Sequence, residues 1–205
     1  MHKGRFLVSV LALGALTACG QVNPVAQRPS ASTTASLAVR SAASDSALIE
    51  AAGKGRLAEV TALLDKGARI DAQNGNGYTA LSLAAWRGHG EVVSLLLGRG
   101  AQVDLATEDR KTPLHWAAVA GHSLIAGDLV AKGATVDSRD KDGWTPLAWA
   151  AFNGKADVVR LLIAKGADVN ARNSRGTTVL GLAQSSGFIF PNFEILRILR
   201  EAGAR

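Results

Sequence analysis

Apolar positions recur along this chain in a fixed register. Leu48, Leu81, Leu114, Leu147 and Leu180 are 33 residues apart. Ala51, Ala84, Ala117, Ala150 and Ala183 keep the same spacing, as do Gly55, Gly88, Gly121, Gly154 and Gly187. Within each period a polar turn leads into a short apolar segment, a Gly and a second apolar segment. That order predicts two helices per period, each of about eight to ten residues and too short to persist alone in water. Stacked copies would bury their shared faces, so the pattern predicts a solenoid with altered end copies. A stack offers a long surface for a partner, not a closed pocket for chemistry.

Residues 137–169 show the logic of one copy. Asp137 to Trp144 carries turn chemistry, with Gly143 supplying a backbone geometry that other residues resist. Thr145-Pro146 opens a helix as N-cap and first helical residue. Leu147, Trp149, Ala150 and Ala151 form its apolar part, with small residues that admit a second helix, and Asn153-Gly154 ends it. Val158, Val159, Leu161, Leu162 and Ile163 follow at helical spacing, closed by Lys165-Gly166-Ala167.

Thr112-Pro113-Leu114-His115-Trp116-Ala117-Ala118, then Gly121-His122, resembles the T-P-L-H-x-A-A and G-H signatures of the ankyrin repeat family. Lys165-Gly166-Ala167-Asp168-Val169-Asn170-Ala171 is similar to that family's K-G-A-D-V-N-A ending. The resemblance covers residues 46–205. It implies an all-α solenoid of about five helix-turn-helix repeats with hairpin loops, near 46–70, 71–103, 104–136, 137–169 and 170–205. Repeat one lacks its hairpin, as a cap should. Repeat three has Arg110 where the hairpin Gly is expected, and Asp128 where its neighbours have Leu95 and Leu161. Repeat five carries four extra residues within Phe188–Phe193, which would close the stack or form a docking point.

The N-terminus has a different composition. A basic start with Lys3 and Arg5 precedes the apolar run Phe6–Ala18, which ends in Leu16-Thr17-Ala18-Cys19. The run is too short to span a bilayer, which takes about 20 residues, but it fits an export signal. The ending resembles the lipobox of bacterial lipoproteins, which implies cleavage after residue 18 and acylation of Cys19. The alternative is an ordinary secretory signal cut after Gly20, releasing a soluble periplasmic protein. With Gly20 after the Cys, the resemblance favours the outer membrane. Cys19 is the only cysteine, so no internal disulfide can form. Residues 19–45, rich in Ala, Ser and Thr with Pro24 and Pro29, are expected to be an irregular tether. As a coil they would span roughly 25 to 30 Å.

The formal charge of +6 changes little. Without Lys3 and Arg5, 21 of the 23 basic residues face 17 acidic ones, a charge of +4. For an exported chain this balance does not point to nucleic acid. No G-x-S-x-G elbow, H-E-x-x-H pair or phosphate-cradling loop is present, so neither an enzyme, a cofactor nor a small-molecule substrate is expected. Asp140-Lys141-Asp142-Gly143 resembles part of a calcium loop, but Trp149 falls where a bidentate Glu belongs. His89, His115 and His122 occupy positions where, by the resemblance, histidine serves the hydrogen-bond network, and they lack zinc-ligand spacing.

The resemblance places partner contacts on hairpin tips and the outer positions of each first helix. By phase these include Tyr78, Trp86, Arg87, Lys111, Arg139, Lys141, Trp144 and Phe152, with Arg172 and Arg175 in repeat five. The patch is expected to be aromatic at two ends, with Lys111, Glu108 and Asp109 between. Trp116 and Trp149 share the phase of Leu83 and Leu182 and are expected inside. The resulting expectation is a non-enzymatic, membrane-tethered protein that binds another protein. Its role would be that of an inhibitor or immunity protein against a toxin or lipase in the periplasm, or of an assembly or protective factor for an envelope enzyme.

Overall fold

The computed structural model describes residues 31–185 and 193–205, with side chains from residue 42 onward. Cys19, the stretch expected to be an export signal and most of the Phe188–Phe193 insertion lie outside the described residues. Ten helices are seen among those described: α1 (Ala31–Gly53), α2 (Leu57–Asp65), α3 (Ala80–Arg87), α4 (Gly90–Gly98), α5 (Pro113–Ala120), α6 (Ser123–Ala131), α7 (Pro146–Phe152), α8 (Ala156–Ala164), α9 (Val179–Ser185) and α10 (Phe193–Glu201). They pair within each repeat and stack in two rows. Odd-numbered helices α1 to α9 pack in sequence, and even-numbered helices α2 to α10 form the second row. Ala84, Ala117, Ala150 and Ala183 are each fully buried in the first row, which small side chains allow to pack closely.

Helix α1 starts at Ala31, inside the segment that the sequence reading assigns to the tether. The physical reason is local. From Ser30 to Ala52 no Pro or Gly occurs, and Ala, the strongest helix former, is frequent. Asp45 is 4% exposed and accepts the Arg69 backbone N–H at 2.7 Å and its Nε–H at 2.8 Å. That carboxylate is therefore part of the folded unit.

The same bond recurs up the stack. Asp71 accepts the amide of Gln102 at 2.9 Å, Asp104 that of Thr135 at 3.1 Å, and Asp137 that of Asp168 at 3.1 Å. Asn170 accepts the amide of Arg205 at 2.9 Å, which keeps the register once the four inserted residues are allowed for. Hairpin tips join in the same way: Glu108 N–H to the Asn76 carbonyl, Lys141 N–H to that of Asp109, and Ser174 N–H to that of Asp142. Exposed backbone in one repeat is thus satisfied by its neighbour.

His115 makes the most buried of these links. Thr112 N–H donates to its Nδ1 at 3.1 Å, which leaves Nε2–H to donate to the Trp144 carbonyl at 3.0 Å. The ring caps α5 and ties repeat three to the hairpin of repeat four. Ser82 caps α3 alike, with its Oγ accepting the Thr79 amide and its own amide donating to Thr79 Oγ1. Burial, opposed by the bond to Trp144, lowers the His115 pKa from 6.5 to about 4. Its folded value lies below its unfolded one, so this contribution is complete above pH 6.5 and is lost as pH falls from 6.5 towards 4. Across that window it amounts to on the order of 3 kcal/mol. Urea unfolding at pH 7 and pH 4 should show the loss. His115→Gln should be less stable at pH 7 but flatter over the window; an unchanged slope would remove His115 as the cause.

Arg110 stands at φ 59°, where the other hairpins have Gly77, Gly143 and Gly176 at 79°, 80° and 78°. A Cβ on Gly77 would come within 2.7 Å of Glu108 N, and one on Gly143 within 2.8 Å of Ser174 N. A left-handed L-residue costs roughly 1–2 kcal/mol, more than the roughly 0.5–1 kcal/mol of extra chain entropy that Gly loses. Arg110→Gly should therefore raise stability by about 0.5–1 kcal/mol, seen as a higher melting temperature. A lower one would mean that the Arg110 side chain makes a compensating contact.

Candidate functional site

Hairpins of repeats two and four and helices α3, α5 and α7 bring six aromatic rings to one side. Tyr78, Trp86 and Trp116 form the first cluster, with centroids 5.1 to 6.3 Å apart. Trp144, Trp149 and Phe152 form the second, at 4.7 to 6.2 Å. Trp149 and Phe152 are one turn apart on α7, and Trp144 reaches them from the hairpin. Such tilted and edge-to-face contacts add about 0.5–1.5 kcal/mol per pair beyond the area buried.

Trp116 and Trp149 depart from expectation. Both are half-buried and stand within the surface clusters, not in the core. Leu182, at the same phase, is buried. An indole is longer than a leucine side chain, so from the same Cα it reaches out to the hairpin rings. The signal was available in the sequence: Trp149 precedes Phe152, and Trp116 precedes Val119, by three residues, which puts each pair on one helical face.

Lys111 connects the two clusters. Its Nζ is 4.7 Å from the ring centroid of Trp149 and 5.7 Å from that of Trp116. It also lies 3.6 Å from Asp140 Oδ2, with 14% of the Lys111 side chain and 1% of the Asp140 side chain exposed. Lys111 is thus a half-buried bridge rather than a free central charge. The middle of the face is aromatic and cationic, while Glu108 and Asp109 are exposed beside it. Asp140 holds the second cluster in place. Its Oδ1 accepts the amides of Asp142 and Trp144 at 3.0 and 2.9 Å, and its Oδ2 accepts the Trp149 indole N–H at 2.8 Å. The sequence shows Asp140 as part of a turn and of an incomplete calcium loop, but its hold on the Trp149 indole is not legible there.

The remaining candidates lie around these rings. Arg87 places its guanidinium 4.7 Å from the Trp86 ring centroid, a cation–π contact that covers part of the first cluster. Arg139 Nη1 donates to the carbonyls of Gly143 and Arg172, stitching hairpins four and five. Lys141 is exposed, and its backbone N–H pairs with Asp109. Burial, and then the charge of Asp109, push the Tyr78 hydroxyl pKa above its ordinary value, so Tyr78 remains neutral and can donate. Asp128 is exposed, so its charge meets water although Leu95 and Leu161 hold the same phase. The exposed apolar residue of α6 is Leu124, at 86%, in phase with Glu91 and Asp157. His89 Nε2 lies 3.1 Å from the Gly53 carbonyl, in the hydrogen-bonding role expected of it.

The family follows from the comparisons with known proteins. A model of ankyrin repeats matches in three overlapping copies, at residues 32–107, 48–140 and 114–205. The chain belongs to the ankyrin repeat family, whose members generally act by protein–protein interaction. No curated protein matches it.

The two clusters differ in one polar detail. Trp149 has Asp140 nine residues before it, whereas Trp116 has Thr107. Thr107 Oγ1 is directed to the Lys111 carbonyl, and Trp116 Nε1 is buried without a hydrogen-bond partner. Thr107→Asp would offer an acceptor to that indole and to the amides of residues 109 and 111, as Asp140 does. A gain of about 1 kcal/mol in urea unfolding is expected. A loss would show that the added charge beside Glu108 and Asp109 outweighs the new bonds.

Proposed function

We propose that this ankyrin protein holds a partner protein against its aromatic face while an acylated Cys19 keeps it on the periplasmic side of a bacterial membrane, the outer membrane by preference. The observation that carries the binding role is the continuous run from Tyr78 and Trp86, through Trp116, Lys111 and Trp149, to Trp144 and Phe152. Half-buried aromatic rings held by packing lose little entropy on binding, and such residues dominate interface energetics. The tether rests on the sequence alone: a basic start, an apolar run and Leu16-Thr17-Ala18-Cys19. Binding without catalysis serves an inhibitor or immunity protein and an assembly or protective factor equally well. The identity of the captured protein would separate them: a toxin or lipase for the first, an envelope enzyme for the second.

Affinity capture from detergent-solubilised envelopes tests the face. Trp86→Ala and Trp144→Ala should each weaken capture by about thirtyfold, the effect of removing an anchor worth about 2 kcal/mol. The helical circular dichroism signal should remain. Equal capture by both variants would reject the face as the site. Cys19→Ser tests the anchor separately, since it should leave an uncleaved or mislocalised chain. A variant of normal mature mass in the membrane fraction would reject the lipid.

A further inference from the structure

The aromatic face changes character along the stack. Between repeats four and five it opens into a cleft of 390 Å³. Trp144, Trp149, Phe152 and Leu182 supply its apolar side, and Asn173 and Arg175 part of its polar side. This is large enough for one apolar side chain and its neighbouring polar group, near the lower end of ligand-binding clefts at roughly 300–1,000 Å³.

Charge decides what such a cleft accepts. Arg175 is exposed at its edge and forms none of the ion pairs seen among the described residues. Arg139 and Arg172 lie on the same two hairpins. Their guanidinium groups donate to backbone carbonyls of Gly143, Arg172 and Gly176, which orient them without cancelling their charge. Lys141 adds a fourth exposed cation on the tip of hairpin four. Against these four cations stand Asp142 on the cleft wall and exposed Asp109, whose carbonyl accepts the Lys141 amide; Asp140 is already engaged with Lys111 and three N–H donors. The local field is positive. Aromatic rings often receive a partner's cation, but Trp149 already has Lys111 over its ring, and the surrounding cations oppose another.

We propose that this cleft anchors an acidic segment of the partner. An aliphatic or aromatic side chain would lie against Trp144, Trp149 and Phe152, and an adjacent carboxylate would pair with Arg175. The proposal rests on the reading that the face binds a protein, and it names the chemistry of the bound segment. Arg175 suits the role because its guanidinium presents paired N–H donors that match a carboxylate.

Three fragments of one shape provide the test: 3-phenylpropionate, its neutral amide and 3-phenylpropylammonium. Each is titrated into the full chain while the indole N–H signals of Trp144 and Trp149 are followed by nuclear magnetic resonance. The acid should shift these signals at millimolar concentration, and the amide and ammonium should bind at least about fivefold more weakly. Arg175→Gln should bring acid and amide to parity. Phe152→Ala should weaken all three, with the fold checked by circular dichroism. Equal binding of acid and amide to the unaltered protein, preference for the ammonium, or no shift with any fragment would overturn the proposal. So would indole shifts that depend on protein concentration alone, which would mean that a second copy occupies the cleft. The parent reading fails differently. Capture that is lost in Trp86→Ala and Trp144→Ala but unchanged in Arg175→Gln retains the binding face and rejects the acidic anchor. Acid-selective fragment binding, with capture indifferent to both tryptophans, does the reverse.

Discussion

A hairpin in this chain pairs only part of its own backbone and hands the rest to its neighbour, and that constraint shapes the rest of the structure. Each loop leaves amides and carbonyls that the next repeat pairs in place of water. The Asp71, Asp104 and Asp137 carboxylates accept amides 31 residues ahead, and the hairpin tips exchange single N–H···O bonds. These bonds lie in reach of water, so each adds about 0.5–1.5 kcal/mol net, and they count because they recur at every repeat boundary. The repeat length is therefore held by polar bonding as well as by burial of the Ala and Leu positions. A stack with this arrangement should lose stability repeat by repeat through its interfaces rather than at one central core.

The same constraint builds the aromatic face. Asp140 first satisfies hairpin four, through the amides of Asp142 and Trp144, and with its second oxygen fixes the Trp149 indole and faces Lys111. Lys111 belongs to the preceding repeat. A group needed for hairpin geometry thus also orients the rings that would meet a partner. In repeat three, where Thr107 replaces the acid, the hairpin still closes, but the Trp116 indole is left without an acceptor. Function and folding share atoms here, so changes to one affect the other.

Much of the architecture was legible because the 33-residue period repeats five times. Helix pairs, caps and the left-handed turn at residue 110 could all be read by comparing one copy with the next. The first helix was harder to read, since a cap has no preceding copy to set its start, and the Ala, Ser and Thr that fill its beginning show no apolar period. Phase identified Tyr78, Trp86, Trp144 and Phe152 as neighbours on one side. It misplaced Trp116 and Trp149, because phase fixes the direction of Cβ but not the reach of the side chain. Lys111 was expected as an open charge; its bridge depends on Asp140 in another repeat, a pairing that no single copy contains. The cleft beside Arg175 depends on the shapes of two repeats together.

Asp140 and Lys111 join two aromatic clusters into one surface across a repeat boundary. A double-mutant cycle with Asp140→Asn and Lys111→Met, measured by urea unfolding at pH 7, tests it most directly. Residues in such a network couple by about 0.5–3 kcal/mol. A coupling of about 1 kcal/mol or more is expected, with the double variant less destabilised than the two single losses combined. Losses that add within about 0.3 kcal/mol would contradict it: the clusters would then be neighbours that happen to share a face.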